Sequence, residues 1–418
     1  MRLHFAVLVV VFAGCGVGGG ADDGGSPATD AGITNTFDAG QPDAGLVDAG
    51  VVDAGVPDAG IVDSGIPHVV LGCSGLADAG VWEELTPPAA RSDVSTNCYY
   101  GGSFVVDPTD RRNVFLGSCQ AGIFKSTDCG ATWTKVSTGR HSIDINSGRQ
   151  WTMAIDPTNP QILYANSGYN LHDGNNSTLY KSINGGVDWD QIWPPANAMG
   201  VPGFVGGVQM DPTDSQHLLL GMHAACGAPH ANACFGESLN GGMTWRIVDG
   251  EASWNGGEGS TVSFLGNSDT WIFKSETNGL WRTTNRGQSW TFISGGIAHG
   301  TGDLVHTSAG TFIQATSNGV LRSSDGIMWS AVQNSGNLVN GMTVIEGTTI
   351  VSSRGFPWNP GGNPQPYQPF LISRDDGLTW STLPSPMLNN AGQLSFDPDH
   401  RILYTSNLNA GFWRVVLP

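Results

Sequence analysis

Charged residues are scarce in this chain, and basic residues most of all. Only 13 % of its 418 residues are charged, Lys and Arg together number 18, and the formal net charge is −18. Nucleic-acid binding needs a basic footprint, so this balance argues against a nucleic-acid partner. The abundant residues are instead 60 Gly and 14 Trp. Low charge with many Gly and Trp is typical of a β-rich, turn-rich extracytoplasmic protein.

The N-terminal apolar run is too short to span a bilayer as a helix. Residues 1–15, "MRLHFAVLVVVFAGC", have one Arg, a short apolar stretch and small residues before Cys15, which predicts a signal peptide. "FAGC" resembles the bacterial lipobox, in which the Cys becomes the lipidated first residue; ordinary secretory cleavage would leave Cys15 a thiol. Without Cys15, six of the seven cysteines remain, an even number that suits disulfides in an oxidising compartment.

These features predict an extracytoplasmic, lipid-anchored protein that meets the membrane through its lipid alone. Gly16 follows Cys15 where some lipoproteins retained at the inner membrane have Asp. The outer membrane of a Gram-negative bacterium is therefore the favoured location.

Residues 16–75 contain a five-residue Asp-Ala-Gly repeat, with Asp at 38, 43, 48, 53, 58 and 63. A calcium-binding array is the alternative, but this spacing does not match the nonapeptide calcium repeat. Small, self-repelling residues cannot bury enough apolar surface to offset chain entropy, so the composition predicts a disordered tether. About fifty such residues reach on the order of 40 Å.

From residue 76 to 418 the sequence repeats with the period of propeller blades. Each full copy has four short apolar runs, and Asp-Pro turns recur at Asp107, Asp156, Asp211 and Asp397. The third apolar run of the repeat occurs seven times, but only six of these copies are followed by a fourth run. The segment "GVWEELTP", Gly80–Pro87, which precedes the first copy, resembles the missing fourth run. We predict an all-β fold, a single seven-bladed β-propeller of four-stranded blades, in which this N-terminal strand completes the last blade.

Between the third and fourth runs stands a recurring octapeptide, as in "SRDDGLTW". Its Ser and Asp can cap backbone amides, its Gly permits positive φ, and its Trp covers the hairpin. Because Asn184, Asn240 and Asn285 replace the Asp, the motif is predicted to be structural: an amide can cap a turn but cannot be a catalytic carboxylate. The structural set is Ser126, Asp128, Gly130, Trp133, Ser182, Trp189, Ser238, Trp245, Trp290, Asp325, Trp329, Ser373, Asp375, Gly377 and Trp380.

The octapeptide matches the Asp-box, S-x-D-x-G-x-x-W, and its context resembles the BNR/Asp-box propellers. These include sialidases, xyloglucanase-type glycosidases, sortilin-type ectodomains and photosystem assembly factors. The "DPTNPxxLY…LYKSxNGGxxW" pattern over residues 100–418 is most similar to the xyloglucanase and assembly-factor branch.

The resemblance implies a fold more clearly than an activity. The xyloglucanase-type enzymes have a catalytic Asp where this chain has Cys119, and their cleft lies between two propellers. Sialidases need an "RIP" motif, which does not occur here. Assembly factors, which would imply a scaffold for a membrane complex, typically show an Arg-rich patch; the 14 Arg of this chain reveal none.

Antiparallel blades place the Asp-Pro turns and the Asp-boxes on one face, here called the turn face, and the long loops on the opposite loop face. The tether enters from the turn face, so the loop face should point away from the membrane. The same geometry predicts the disulfides Cys98–Cys119 on the loop face, Cys73–Cys129 on the turn face and Cys226–Cys234 within one loop. A zinc site formed by His223, Cys226, His230 and Cys234 is the alternative for that loop.

Recognition concentrates in loops on a rigid scaffold, so the loop face carries the candidate contact residues. They are Tyr169, His172, Asp173, His223, Trp254, Glu258, Arg354, Trp358 and Tyr367. Such aromatic residues either stack on sugars or anchor a protein partner, or they pack their own loops.

The sequence thus predicts a surface-tethered, non-catalytic module that binds polysaccharide or a protein partner, as a monomer without metal or cofactor. The alternative is a glycoside hydrolase, which generally needs two carboxylates flanking the bond. Its candidate acids are Asp173, Glu251, Glu258 and Asp303.

Overall fold

The computed structural model describes the propeller and its loops in segments. These are residues 71–91, 102–170, 172, 178–196, 198–256, 260–275, 278–295, 303–316, 319–332, 339–354, 369–386, 391–407 and 410–418. Cys15, Cys98, Asp173, Glu258, Trp358 and Tyr367 lie outside them. Within these segments no helix has the length and apolar character needed to cross a bilayer.

In the described part of the chain, 28 strands form seven four-stranded antiparallel sheets, each one blade. Blade 1 is β2 (Ser103–Val106), β3 (Val114–Gly117), β4 (Ile123–Ser126) and β5 (Thr134–Lys135). Blade 2 is β6 (Met153–Ile155), β7 (Leu163–Ser167), β8 (Thr178–Ser182) and β9 (Asp190–Gln191). Blade 3 is β10 (Val205–Asp211), β11 (Asp214–Met222), β12 (Cys234–Ser238) and β13 (Arg246–Asp249). Blade 4 is β14 (Thr261–Asn267), β15 (Thr270–Ser275), β16 (Gly279–Thr283) and β17 (Thr291–Ser294).

The ring continues in the same order through three further blades. Blade 5 is β18 (Leu304–His306), β19 (Phe312–Thr316), β20 (Gly319–Ser323) and β21 (Ser330–Ala331). Blade 6 is β22 (Val339–Glu346), β23 (Thr349–Arg354), β24 (Phe370–Ser373) and β25 (Ser381–Leu383). Blade 7 is β26 (Ala391–Asp397), β27 (Ile402–Asn407), β28 (Gly411–Val416) and β1 (Trp82–Glu84). One 3-10 turn (Pro88–Ala90) and one short helix, α1 (Ser142–Asn146), lie in the described loops.

The last blade is closed by the first strand, as the sequence predicts. β1 pairs with β28 so that Trp82 lies opposite Val415 and Glu84 opposite Trp413. The strand is shorter than the predicted Gly80–Pro87, although backbone hydrogen bonds extend past both of its ends. The guanidinium of Arg414, only 2 % exposed, donates to Glu83 Oε2 at 2.8 Å and therefore ties the closing strand to the third strand of its blade.

The core lies between the blades. In the seam where blade 7 meets blade 1, the rings of Phe104, Tyr404 and Phe412 pack with centroids 5.4 to 5.5 Å apart. First strands of neighbouring blades, such as β2 and β6, contact each other, so they line the central axis. Each blade thus buries one face of its sheet against each neighbouring blade. The loops at the two ends of the blades lie outside these contacts.

The Asp-box turns share one hydrogen-bond pattern whether they carry Asp or Asn. In blade 1, Ser126 Oγ accepts from the Gly130 amide at 2.7 Å, and Asp128 Oδ1 accepts from the Thr132 amide at 2.8 Å. In blade 3, Ser238 Oγ accepts from Gly242 and Asn240 Oδ1 from the Thr244 amide, both at 2.9 Å. The turn therefore uses the acceptor oxygen of the Asp or Asn side chain and does not require a negative charge.

These turns also fasten neighbouring blades together. A residue with positive φ follows the Asp or Asn, and its carbonyl oxygen accepts a hydrogen bond from the preceding blade. The four described pairs are Arg414 to Cys129, Lys181 to Gly241, Arg246 to Arg286, and Arg322 to Asp376. In these motifs the carbonyl oxygen is therefore already used in a hydrogen bond between blades and is not available to bind a substrate.

Candidate binding site on the loop face

Five side chains gather where blades 2 and 3 meet on the loop face. They are Arg149, Trp151, Tyr169, Phe204 and His223, here called the aromatic patch. Arg149 and Trp151 precede β6, and Phe204 directly precedes β10, so these three lie at the ends of the innermost strands. Tyr169 follows β7 and His223 follows β11, the adjacent second strands. Neighbouring blades therefore bring residues far apart in sequence to one place beside the central axis.

The rings of the patch meet mostly edge to face. The His223 ring lies 4.3 Å from Phe204 and 5.5 Å from Trp151, centroid to centroid. Tyr169 lies 5.0 Å from Phe204, and its hydroxyl is 3.3 Å from His223 Nε2. The guanidinium of Arg149 lies 4.8 Å from the Tyr169 centroid, a cation–π contact. All five side chains are half-buried, so part of the cluster faces solvent.

The backbone around the patch is specialised. Tyr169 has φ +48°, in the left-handed region that a bulky residue seldom adopts and that is concentrated at functional sites. The neighbouring Gly168 pairs with Arg149, and a Cβ at Gly168 would come within 1.9 Å of the Trp151 ring. The Trp151 indole also donates to the Gly206 carbonyl at 2.7 Å. The patch is thus held in place by its own backbone and needs no ligand for its shape.

Two of the predicted contact residues, Tyr169 and His223, belong to this patch. Trp151 and Phe204 were not predicted as contact residues, because each looks like an ordinary residue flanking a strand. Arg149 was missed as well. A usable signal was present: an aromatic residue stands one or two positions before the first strand in two consecutive blades.

Other predicted contact residues lie elsewhere. His172 is exposed and its Nδ1 is 2.8 Å from Asp144 Oδ1, while the other Asp144 oxygen is 3.2 Å from His141 Nδ1. Arg354 is the last residue of β23. Trp254 is only 3 % exposed and stacks on Phe273 at 4.4 Å. Its predicted role as a surface contact is wrong, because its ring packs its own loop against the core of blade 4.

Of the four candidate acids, Glu251 and Asp303 are described. Glu251 is half-buried in the loop between β13 and β14. Asp303 directly precedes β18, and its Oδ2 accepts from the Met342 amide at 3.1 Å. Burial raises the pKa of Asp303, an effect that the positive charge of Lys274 and the Met342 amide oppose. A raised pKa is the direction of change that favours a carboxyl group as a proton donor.

The described cysteines are engaged in disulfides. Cys73 is joined to Cys129 with a Cα–Cα distance of 5.9 Å, and Cys226 to Cys234 with 6.0 Å. Cys119 is also disulfide-bonded, and its predicted partner Cys98 lies outside the described residues. Because Cys226 and Cys234 share a bond, the alternative zinc site lacks both thiolates. The same holds for the cluster of Cys73, Cys129 and His400 on the turn face.

Comparison with known proteins finds no matching family model. Xyloglucanase Xgh74A of Acetivibrio thermocellus is 30 % identical over 128 residues, which cover 27 % of this chain and 15 % of that protein. A xyloglucanase of Paenibacillus sp. is 22 % identical over 371 residues, 75 % of this chain and 34 % of that protein. The chain therefore matches about a third or less of the length of these curated relatives.

A solved structure shares the fold at low sequence identity. YCF48 bound to D1 peptide superposes with a TM-score of 0.57 at 13 % identity, covering 82 % of this chain and 99 % of that one. At this identity the likeness shows a shared fold and no more.

Proposed function

We propose that this chain is an extracytoplasmic, lipid-anchored module that binds polysaccharide on its aromatic patch without cleaving it. The observation that carries the proposal is the half-buried cluster of Trp151, Tyr169, Phe204 and His223 beside the central axis. Aromatic faces supply the large, rigid apolar area on which a sugar ring can stack, and the Tyr169 hydroxyl and Arg149 supply polar contacts. The curated relatives named xyloglucanases make polysaccharide the favoured ligand class over a protein partner.

The composition of the patch supports binding without hydrolysis. Glycosidic cleavage generally uses two carboxyl groups about 5 to 9.5 Å apart across the bond. The five patch residues supply none. Both oxygens of Asp144, the acid on α1, already lie near His141 and His172.

The position of the N-terminal segment supports the tethered arrangement. The Leu71 carbonyl oxygen is 2.7 Å from His400 Nε2, and Cys73 is bonded to Cys129 of an Asp-box, so the chain reaches the propeller at the turn face. A lipid at Cys15 would therefore be joined to the propeller at its turn face, opposite the aromatic patch. The disulfides support an oxidising compartment.

The test is affinity electrophoresis and calorimetry of the full chain against a panel of soluble neutral and acidic polysaccharides. Trp151→Ala and Tyr169→Asn should each weaken binding roughly tenfold or more, since each removes a stacking ring. Asn is chosen at position 169 because it tolerates left-handed backbone. Phe292→Ala, which removes an exposed aromatic ring on β17, is the matched control and should leave affinity unchanged. Equal losses in control and patch variants would contradict the proposal.

A second candidate function, glycoside hydrolysis, is favoured by one observation: the raised pKa of Asp303, which suits a general acid. It predicts reducing ends when the chain is incubated with the same polysaccharides, and loss of that release in Asp303→Asn. Release that needs Asp303 would replace the binding-module proposal with this one. Binding by the patch with no release would exclude hydrolysis of the panel.

A further inference from the structure

Six large apolar side chains that are more than half exposed lie on the turn face, at the tips of the Asp-box turns. They are Ile183 in blade 2, Leu239 and Met243 in blade 3, Ile327 and Met328 in blade 5, and Leu378 in blade 6, here called the apolar rim. Their exposures run from 53 % to 80 %. The turn itself does not need them, because blades 1 and 4 carry Ala131 and Gln288 in corresponding places. Exposed apolar side chains that recur at the same turn on one face indicate a contact surface.

The apolar rim is arranged for a flat partner. The turns that carry it join third to fourth strands, and the fourth strand is the outermost of each blade. The six side chains therefore lie on one face, towards its edge, and come from four blades around the ring. A peptide or a single groove-binding segment could reach only a part of them. A planar surface can meet all six at once.

Four arginines of the turn face are neutralised by neighbouring acids. Arg246 and Arg286 both donate to Glu237, at 2.6 and 2.7 Å. Arg322 is paired with Asp376, and Arg401 with Glu346 at 3.0 Å. A partner of the turn face would thus be held by apolar contact rather than by charge.

The chain also approaches the propeller from this side, through Leu71 and Cys73. The inference rests here on the lipid anchor of the proposed function: a lipid at Cys15 would keep the turn face at high effective concentration near the membrane.

We propose that the apolar rim docks the turn face onto a lipid bilayer, with its six side chains entering the boundary between headgroups and acyl chains. The loop face is then held parallel to the membrane and open to the outside. This inference does not depend on what the aromatic patch binds.

The test is flotation of the full chain with vesicles of phosphatidylcholine, a zwitterionic lipid. Cys15→Ser removes the lipid anchor, so that any remaining binding reports on the propeller. Adding Ile183→Ser, Leu239→Ser, Met243→Ser and Met328→Ser should lower the partition coefficient roughly tenfold or more. The matched control carries Ile143→Ser and Met199→Ser, which remove loop-face side chains that are 62 % and 74 % exposed, and should bind as Cys15→Ser does.

Any of the following outcomes would overturn the proposal. Cys15→Ser protein that does not float, flotation that survives the four rim substitutions, or flotation abolished by moderate salt would each exclude apolar docking by the rim. If sedimentation instead shows a dimer that the rim substitutions dissociate, the surface belongs to a second copy of the chain. Polysaccharide binding, measured on the same variants, should be unchanged, so failure of one proposal does not imply failure of the other.

Discussion

At the scale of single residues, the Asp-box shows which atom of a motif the fold uses. Asn240 Oδ1 caps the Thr244 amide with the geometry that Asp128 uses in blade 1. Asn240→Asp should therefore change the free energy of unfolding little, whereas Asn240→Ala should cost about 1 kcal/mol, the usual price of a lost backbone cap. Urea unfolding monitored by tryptophan fluorescence measures both. A loss in Asn240→Asp as large as in Asn240→Ala would show that the amide itself is required.

A second residue-scale prediction concerns Lys274, which is 3 % exposed on β15. Burial lowers its pKa from 10.5 to about 8, an effect only partly opposed by Asp303. Between pH 8 and 10.5 the unfolded chain therefore holds a proton at this lysine that the folded chain has released. Stability should rise with pH across that window, because unfolding must take up the proton.

Lys274→Met should remove this rise, since methionine fills similar volume and does not titrate. The measurement is the free energy of unfolding from urea titrations at pH 7.5 and 9.5, in the native sequence and in the variant. The same increase in both proteins would assign it to other groups.

At the scale of elements, the two described disulfides close loops of very different length. Cys73–Cys129 spans 56 residues and Cys226–Cys234 spans 8, so the chain-entropy relation gives about 4 and about 2.5 kcal/mol respectively. Replacing Cys73 and Cys129 by Ala should lower the urea midpoint more than replacing Cys226 and Cys234. The longer bridge also holds the segment that leads into the closing strand. The reverse order of losses would contradict this account.

The strands were predictable because each blade repeats the same sequence pattern. Asp-Pro turns, apolar runs and the octapeptide give the number and order of strands, and the count of third and fourth runs places Trp82 in the last blade. Strand ends were less predictable: β9 is only Asp190–Gln191, since the adjacent Trp189 turns inward and is fully buried.

The candidate site was only partly predictable, since it is assembled between blades. Tyr169 and His223 stand in long loops and could be recognised there. Trp151 and Phe204 each stand just before a first strand in the sequence, but only the ring, which places β6 beside β10, shows that they meet. Trp254 was predicted to be a surface contact because it stands in a Gly-rich loop. In the structure its ring stacks on Phe273 and is covered by that contact. Loop composition alone does not reveal which side of a ring is covered.

At the scale of the whole molecule, the propeller has two unlike faces, and the N-terminal segment joins one of them. The last prediction concerns the full, lipidated chain reconstituted in phosphatidylcholine vesicles. Met243→Cys on the turn face and Met199→Cys on the loop face replace residues of similar exposure, 80 % and 74 %. A bulky, membrane-impermeant maleimide should label Met199→Cys at the same rate before and after detergent release. Met243→Cys should react several times more slowly on the vesicle than after release, because docking covers it. If both positions were protected equally on the vesicle, crowding at the surface would limit access, and not docking of the turn face. If both positions reacted equally fast on the vesicle and after release, the lipid-anchored propeller would stand clear of the bilayer.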